Sequence, residues 1–155
     1  MTKVLQRPLP RPTPESKPFW DGCRNHQLLI QKCKSCGDLR FPPSLLCPSC
    51  SSLETEWVPS SGKGEIWSHA VFHKVYHPAF ERNIPYVVAV VELEEGVRMV
   101  TNIVGCAPDE VSIGMAVEVF FDDVAPEVTI PRFKPSKTED AQVKTDEDQG
   151  PLPQR

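Results

Sequence analysis

Four thiols carry the most specific chemistry in this chain. Cys33 and Cys36 form one Cys-x-x-Cys pair, Cys47 and Cys50 a second, and ten residues separate the two. Each short turn aims two sulfurs at one point, where its backbone amides can hydrogen-bond them. Gly37 supplies a residue at ease with positive φ after the first pair, and Pro48 stiffens the second turn by fixing its own φ. Two facing turns of this kind make a tetrahedral sulfur cage, the preferred shell of structural zinc. Two disulfides, or four unrelated thiols, are the competing readings, and the paired spacing disfavours both. Iron accepts the same four-sulfur geometry, so ligand type alone leaves it open, although nothing else in the chain points to electron transfer. The expectation is one Zn²⁺ per chain, held by Cys33, Cys36, Cys47 and Cys50. Four protein ligands leave no open coordination position, so the metal is expected to be structural. Lys32, Lys34 and Arg40 stand close enough in sequence to offset the negative charge of the thiolate cage, and the same three cations would also suit a phosphate.

The remaining reactive residues form no constellation. His69, His73 and His77 recur every fourth residue, which on a helix would make a metal face. Their neighbours alternate as in a strand, where four residues span about 13 Å, too far to share one ion. No nucleophile elbow, glycine-rich phosphate loop or Cys–His pair outside the cage is present in the sequence. Cys23 and Cys106 read as small buried hydrophobes.

The elements that must position the cage fit a chain of 155 residues, enough for one domain plus a metal module. Residues 1–14, with Pro8, Pro10, Pro12 and Pro14, read as an extended arm, mobile or lying along a partner. Residues 15–58 read as a short helix and a zinc ribbon. Ser16 is placed to cap that helix and Pro18 to enter its first turn. Phe19, Trp20 and Cys23 share one face, and Gly22 weakens the helix unless packing supports it. Leu28 to Lys32 is expected to lead as a strand into the first turn, and Glu54 to Val58 to leave the ribbon.

Residues 59–135 are strand throughout, with turns at Ser60–Gly64 and Glu94–Gly96. Five runs start near Ile66, Ile84, Val97, Ile113 and Val128, with one long connection around 74–84. Ile66, Ala70 and Phe72 are expected on one face of the first run, and Pro131 is expected to end the last or mark an edge. The fold class is therefore mainly β, with a five-stranded closed barrel of OB type after the helix and ribbon. Val88, Val90, Val100 and Phe120 fall on outer faces, where several apolar residues together require a cover. Residues 136–155 read as a disordered polar tail.

Charge and targeting signals narrow the function classes. Residues 51–133 carry five Lys/Arg against thirteen Asp/Glu, a formal −8 that would repel a phosphate backbone. A single-stranded nucleic-acid module of ribbon and OB-fold is the alternative reading, and that charge argues against it. No run is long and apolar enough for a membrane span, and the start lacks the apolar core of a secretion signal. Cytoplasmic placement is the expectation, where paired cysteines bind metal more often than they form disulfides.

Taken together, these stretches resemble the DUF35 family over about residues 15 to 135. The resemblance rests on Pro18-Phe-Trp-Asp-Gly, on Leu28 to Gly37 with its first cysteine pair, and on Phe41-Pro-Pro and Cys47-Pro-Ser-Cys50. It continues through Gly64-Glu-Ile-Trp-Ser, Pro85 to Leu93, Glu95-Gly-Val-Arg and Ile113-Gly-Met. It implies an N-terminal helix, a rubredoxin-like zinc ribbon and a C-terminal OB-fold. It also implies a non-catalytic accessory subunit of a thiolase-superfamily enzyme, a thiolase or aldolase cleaving a carbon–carbon bond of an acyl-CoA in a degradation pathway. Such subunits dock beside the partner's active site and help to hold acyl-CoA, and some relatives are fused to or associated with hydratases of the MaoC type. On this reading Phe19, Trp20, His77 and Phe80 are the expected partner or acyl-CoA contacts, and no catalytic residue is expected in the chain itself.

Overall fold

The computed structural model describes residues 7–136. The expected disordered tail lies outside them apart from Ser136. Helix α1, Lys17–Arg24, has Pro18 in its first turn, where the missing N–H goes unneeded. Ser16 stands at the N-cap position, but its hydroxyl does not cap the helix. It accepts instead from the Thr13 amide at 2.9 Å, and the Ser16 and Lys17 amides both donate to the Thr13 carbonyl. The end of the proline arm thus satisfies the first helical donors. Gly22 is demanded by packing: a Cβ there would come within 2.8 Å of the Gln27 carbonyl and the Leu29 side chain. That close approach of helix to strand outweighs the roughly 1 kcal/mol of helix propensity that glycine forfeits.

The arm lies on its own chain rather than standing off. Pro10 and Pro12 flank Trp20 and the stretch Glu127–Thr129.

The ribbon is a three-stranded antiparallel sheet of β1 (Leu29–Cys33), β2 (Leu39–Arg40) and β3 (Thr55–Pro59), in the order β2-β1-β3. The segment expected to leave the ribbon is therefore its third strand, paired with β1 from Leu29↔Pro59 to Cys33↔Thr55. Gln31 and Arg40 are buried here. Arg40 Nε and the Ser44 amide both donate to Gln31 Oε1, at 2.8 and 2.9 Å.

Five strands follow: β4 (Lys63–Phe72), β5 (Tyr86–Leu93), β6 (Arg98–Ile103), β7 (Ala116–Ala125) and β8 (Val128–Pro135). They close into a barrel in the order β4-β5-β6-β8-β7, with β7 returning to β4. β5 buries every second residue, Val87, Ala89, Val91 and Leu93, the period-two pattern of a strand with one face on a core. Phe133, fully buried, is the largest side chain in that interior. One apolar cluster runs from Phe19, Cys23, Leu28 and Ile30 into the barrel, so ribbon, helix and barrel share a core. Helix α1 is the joint, packing against both β1 and β8.

Two strand expectations need correction. A bulge between Ile66 and Ser68 shifts the register of β4, as barrel curvature often requires. Beyond it Val71 packs on the core while Ala70 is exposed, so Ile66, Ala70 and Phe72 do not share a face. Pro131 sits inside β8, opposite Phe121, and the strand runs on to Pro135. β6 meets β8 in register only at Ile103↔Phe133, so a residue without an N–H disturbs little pairing on that side. Its carbonyl is used, accepting from Thr101 Oγ1 at 3.1 Å.

The outer faces carry the apolar residues that alternation assigns to them. Val88 and Val90 are half-buried, and Val100 and Phe120 are exposed. Among the described residues no helix is long and apolar enough to cross a membrane.

Candidate metal centre and barrel-end recess

The cage is built from two turns that repeat each other bond for bond. Gly37 N–H donates to the Cys33 carbonyl at 2.9 Å, and Ser51 N–H to the Cys47 carbonyl at 2.8 Å. Cys33 N–H donates to the Asp38 carbonyl and Cys47 N–H to the Ser52 carbonyl. One constant offset in numbering relates Cys33 to Cys47, Cys36 to Cys50, Gly37 to Ser51 and Asp38 to Ser52. The halves are stitched together by Ser35 and Ser52, whose hydroxyls lie 2.8 Å apart, and by Ser49 Oγ donating to Asp38 Oδ2 at 2.9 Å.

The four Sγ atoms all lie within 4.8 Å of one another. Cys33–Cys50 and Cys36–Cys47 are each 3.6 Å apart, close to the sulfur–sulfur edge of about 3.8 Å that a tetrahedral site with about 2.3 Å Zn–S bonds requires. Amides favour thiolates here. The Cys36 amide, helped by that of Ser35, holds the Cys33 thiol down to about 6 against the effect of burial. Burial pushes the Cys47 thiol up, but the amides of Cys50 and Ser49 more than reverse it. Cys36 benefits from the Asp38 amide, yet its hydrogen bonds with the neighbouring sulfurs push it up to about 12. All-sulfur donors, tetrahedral spacing and amides aimed at sulfur fit one structural zinc. Bound there, zinc supplies a cross-link between the β1–β2 turn and the segment entering β3.

Two of the three expected neutralising cations are engaged elsewhere. Lys32 Nζ lies 3.4 Å from Glu56 across the sheet, and Arg40 is turned onto Gln31. The three histidines form no metal cluster among the described residues, although only His69 lies in a strand. His69 is in β4, His73 is exposed beyond it, and His77 Nδ1 accepts from the Ala79 amide at the start of a 3₁₀ turn, Pro78–Asn83.

Of the four expected contact residues, Phe19 lies in the core. It is 3 % exposed and packs on Trp20 and Phe41, with ring centroids 5.1 and 5.3 Å apart. The shared core that α1 closes is what covers it. Trp20 is half-buried beneath Pro10 and Pro12. His77 and Phe80 do come together at the barrel end, 5.9 Å between centroids. Phe80 borders a recess of about 200 Å³ with Arg7, Asn83, Tyr86, Asn102 and Arg132.

One pair escaped the sequence reading. His26, with φ of 53°, lies flat on Phe121 at 5.2 Å and places Nε2 3.1 Å from both carboxylate oxygens of Asp123. Thr129 Oγ1 donates to the same carboxylate at 2.6 Å, and with His26 it holds the Asp123 carboxyl below its ordinary range. This latch ties the end of α1 to β7 beside a shallow hollow of about 500 Å³.

Two family models match the two halves of the chain. A model of the ChsH2 rubredoxin-like zinc ribbon domain matches residues 20–56, and one of the ChsH2 C-terminal OB-fold domain matches residues 57–122. A DUF35 domain-containing scaffold protein of Methanocaldococcus jannaschii is 45 % identical over 104 residues, covering 66 % of this chain and 73 % of that protein. The chain belongs to the DUF35 family. A solved structure described as the Ltp2-ChsH2(DUF35) aldolase contains a chain that superposes on this DUF35 chain with a TM-score of 0.75 and 43 % identity, over 81 % of this chain and 98 % of that one. A probable enoyl-CoA hydratase alpha subunit of Thermomonospora curvata is 43 % identical over 130 residues, 84 % of this chain. The DUF35 chain spans only 40 % of that relative's length.

Proposed function

We propose that this chain is a non-catalytic accessory subunit of a thiolase-like acyl-CoA enzyme, a thiolase or aldolase that cleaves a carbon–carbon bond of a CoA ester in a degradation pathway. The observation that carries the reading is the outer wall of β4–β6. Val100 is 67 % and Trp67 50 % exposed there, and Val90, directly opposite Val100, is half-buried. The Arg98 guanidinium lies 4.0 Å over the Trp67 ring, so the wall combines exposed apolar surface with a charged edge, a combination suited to docking a protein partner. The match of this chain to the DUF35 chain of an aldolase assembly supports the kind of partner.

This wall replaces the helix face as the principal dock, because Phe19 is spent on the core and Trp20 is partly covered by the arm. The loop bearing His77 and Phe80 lies beside the partner's acyl-CoA and helps to hold it. A MaoC-like hydratase is a further partner, in keeping with the hydratase subunit among the similar proteins. The formal −8 of residues 51–133 opposes the nucleic-acid alternative.

The test is co-expression with a thiolase-like protein encoded beside this chain, comparing wild type with Val100→Asp. The wild-type pair should co-purify and cleave acyl-CoA, whereas neither protein alone should. Val100→Asp should fold normally and weaken assembly by roughly 2 kcal/mol or more. Full activity of the thiolase-like protein without this chain, or no complex at micromolar concentrations, refutes the proposal.

A further inference from the structure

The barrel is acidic as a whole, yet one end of it gathers an unbalanced pair of guanidiniums. Arg132 Nε lies 2.8 Å from Asp122 Oδ2, and Arg7 Nη1 lies 4.0 Å from the same oxygen. Two cations therefore share one carboxylate. The Arg132 side chain is only 16 % exposed, and its Nε is buried without a well-aligned acceptor. Burial and the neighbouring Arg132 charge both pull the Arg7 pKa down, against the pull of Asp122. An additional anion between the two arginines would relieve that repulsion.

The walls of the recess add a second recognition element. Phe80 has the Arg7 guanidinium over its ring at 5.1 Å, and Tyr86 is fixed in plane by stacking on Phe72 at 5.3 Å. Asn102 is oriented by donating Nδ2 to the Val87 carbonyl at 3.0 Å. The recess of about 200 Å³ continues, through Asn83, Tyr86, Asn102 and Arg132, into a neighbouring one of about 250 Å³. It lies where the first connection of an OB barrel meets its central strands, the usual ligand side of that fold.

We propose that this recess seats a phosphorylated nucleoside, with phosphate on the Arg7–Arg132 pair and the base against the Phe80–Tyr86 wall. Asn83 and Asn102 supply amides for the edge of the base. The space accommodates one nucleotide, and the acidic barrel around it opposes the phosphates of a longer strand. The inference rests on the acyl-CoA reading and deepens it, since a CoA ester ends in a phosphorylated adenosine.

The zinc-loaded full chain is titrated by calorimetry at low salt with adenosine 3′,5′-bisphosphate, adenosine, inorganic phosphate and a single-stranded oligonucleotide. The bisphosphate should bind one per chain, with adenosine and phosphate each weaker by about tenfold or more. Arg132→Gln and Arg7→Gln should each lower bisphosphate affinity about tenfold. Arg7 sits in the arm, so its replacement tests the recess without touching the core. Affinity unchanged in both variants, no bisphosphate binding, or tighter binding of the oligonucleotide overturns the proposal. A complex that assembles and turns over normally with both variants rejects the recess alone. Failure to form any complex rejects the accessory-subunit reading and leaves the nucleotide titration to be judged by itself.

Discussion

Gly37 and Ser51 occupy the same place in the two halves of the cysteine cage, with φ of 78° and 59°. One half meets the left-handed requirement with glycine. The other imposes it on a residue with a side chain, at a strain of roughly 1 kcal/mol. A Cβ added to Gly37 meets nothing within 4 Å, so Gly37→Ala isolates the backbone term. It should lower the stability of the zinc-loaded chain by about 1 kcal/mol, while Ser51→Gly holds or raises it. Denaturant unfolding of the two variants measures both signs, and an unchanged Gly37→Ala midpoint would contradict the left-handed assignment.

Cys47 is buried in the cage with its sulfur 3.6 Å from that of Cys36. Cys47→Ser should lose the metal and unfold the ribbon, because binding and folding are coupled in such modules. Elemental analysis reads the outcome directly: one zinc per chain in the wild type and a substoichiometric amount in the variant. An undiminished metal content in Cys47→Ser would remove Cys47 from the ligand set.

Phe19 gives a sharp choice between packing and docking. Because it lies within the core shared by helix, ribbon and barrel, Phe19→Ala should cost about 3–5 kcal/mol of folding stability. Trp20→Ala should cost less, as its ring is only half-buried. Urea unfolding of the isolated chain decides it. Wild-type stability combined with lost assembly would return Phe19 to the interface.

The His26–Asp123 latch predicts an acid-limb effect. Thr129 first, then His26, depresses the Asp123 carboxyl in the folded state. A carboxyl lowered on folding contributes stability that is full above its unfolded pKa, near 4, and is lost as pH falls through the lower folded value. Asp123→Asn should therefore flatten the loss of stability below about pH 4 and have a smaller effect on its shape at neutral pH. Melting curves from pH 2.5 to 7 check this, and an acid limb identical to wild type would show that the pair does not couple to folding.

The parts legible in the sequence are those whose signal is local. Cys33, Cys36, Cys47 and Cys50 declare a cage through spacing alone, and Ile84 to Leu93 declare a strand through β-branched composition in a run too short for a buried helix. The bulge after Ile66 was hidden because it answers to barrel closure, which no window of β4 contains. Phe133 lay beyond the last expected run, because Pro131 reads as the end or edge of a strand that in fact continues into the core. His26 and Asp123 stand 97 residues apart, and neither neighbourhood signals the other. The burial of Phe19 likewise depends on Phe41 and the barrel floor rather than on the helix that carries it.

The placement of β8 has a consequence for how the chain comes into being. The last strand lies between β6 and β7, and Phe133, near its end, fills the barrel. During synthesis the ribbon has all four thiols once Cys50 has emerged, and it can gather its metal early. The barrel stays an open, apolar-faced sheet until Phe133 arrives, because its β6 pairing spans a long stretch of chain and such closures come late. For that interval the inner faces of β4 to β7 are accessible to chaperones and to other nascent chains. Substitutions that slow the arrival or docking of β8 should lower the yield of soluble protein more than they lower the stability of the finished fold.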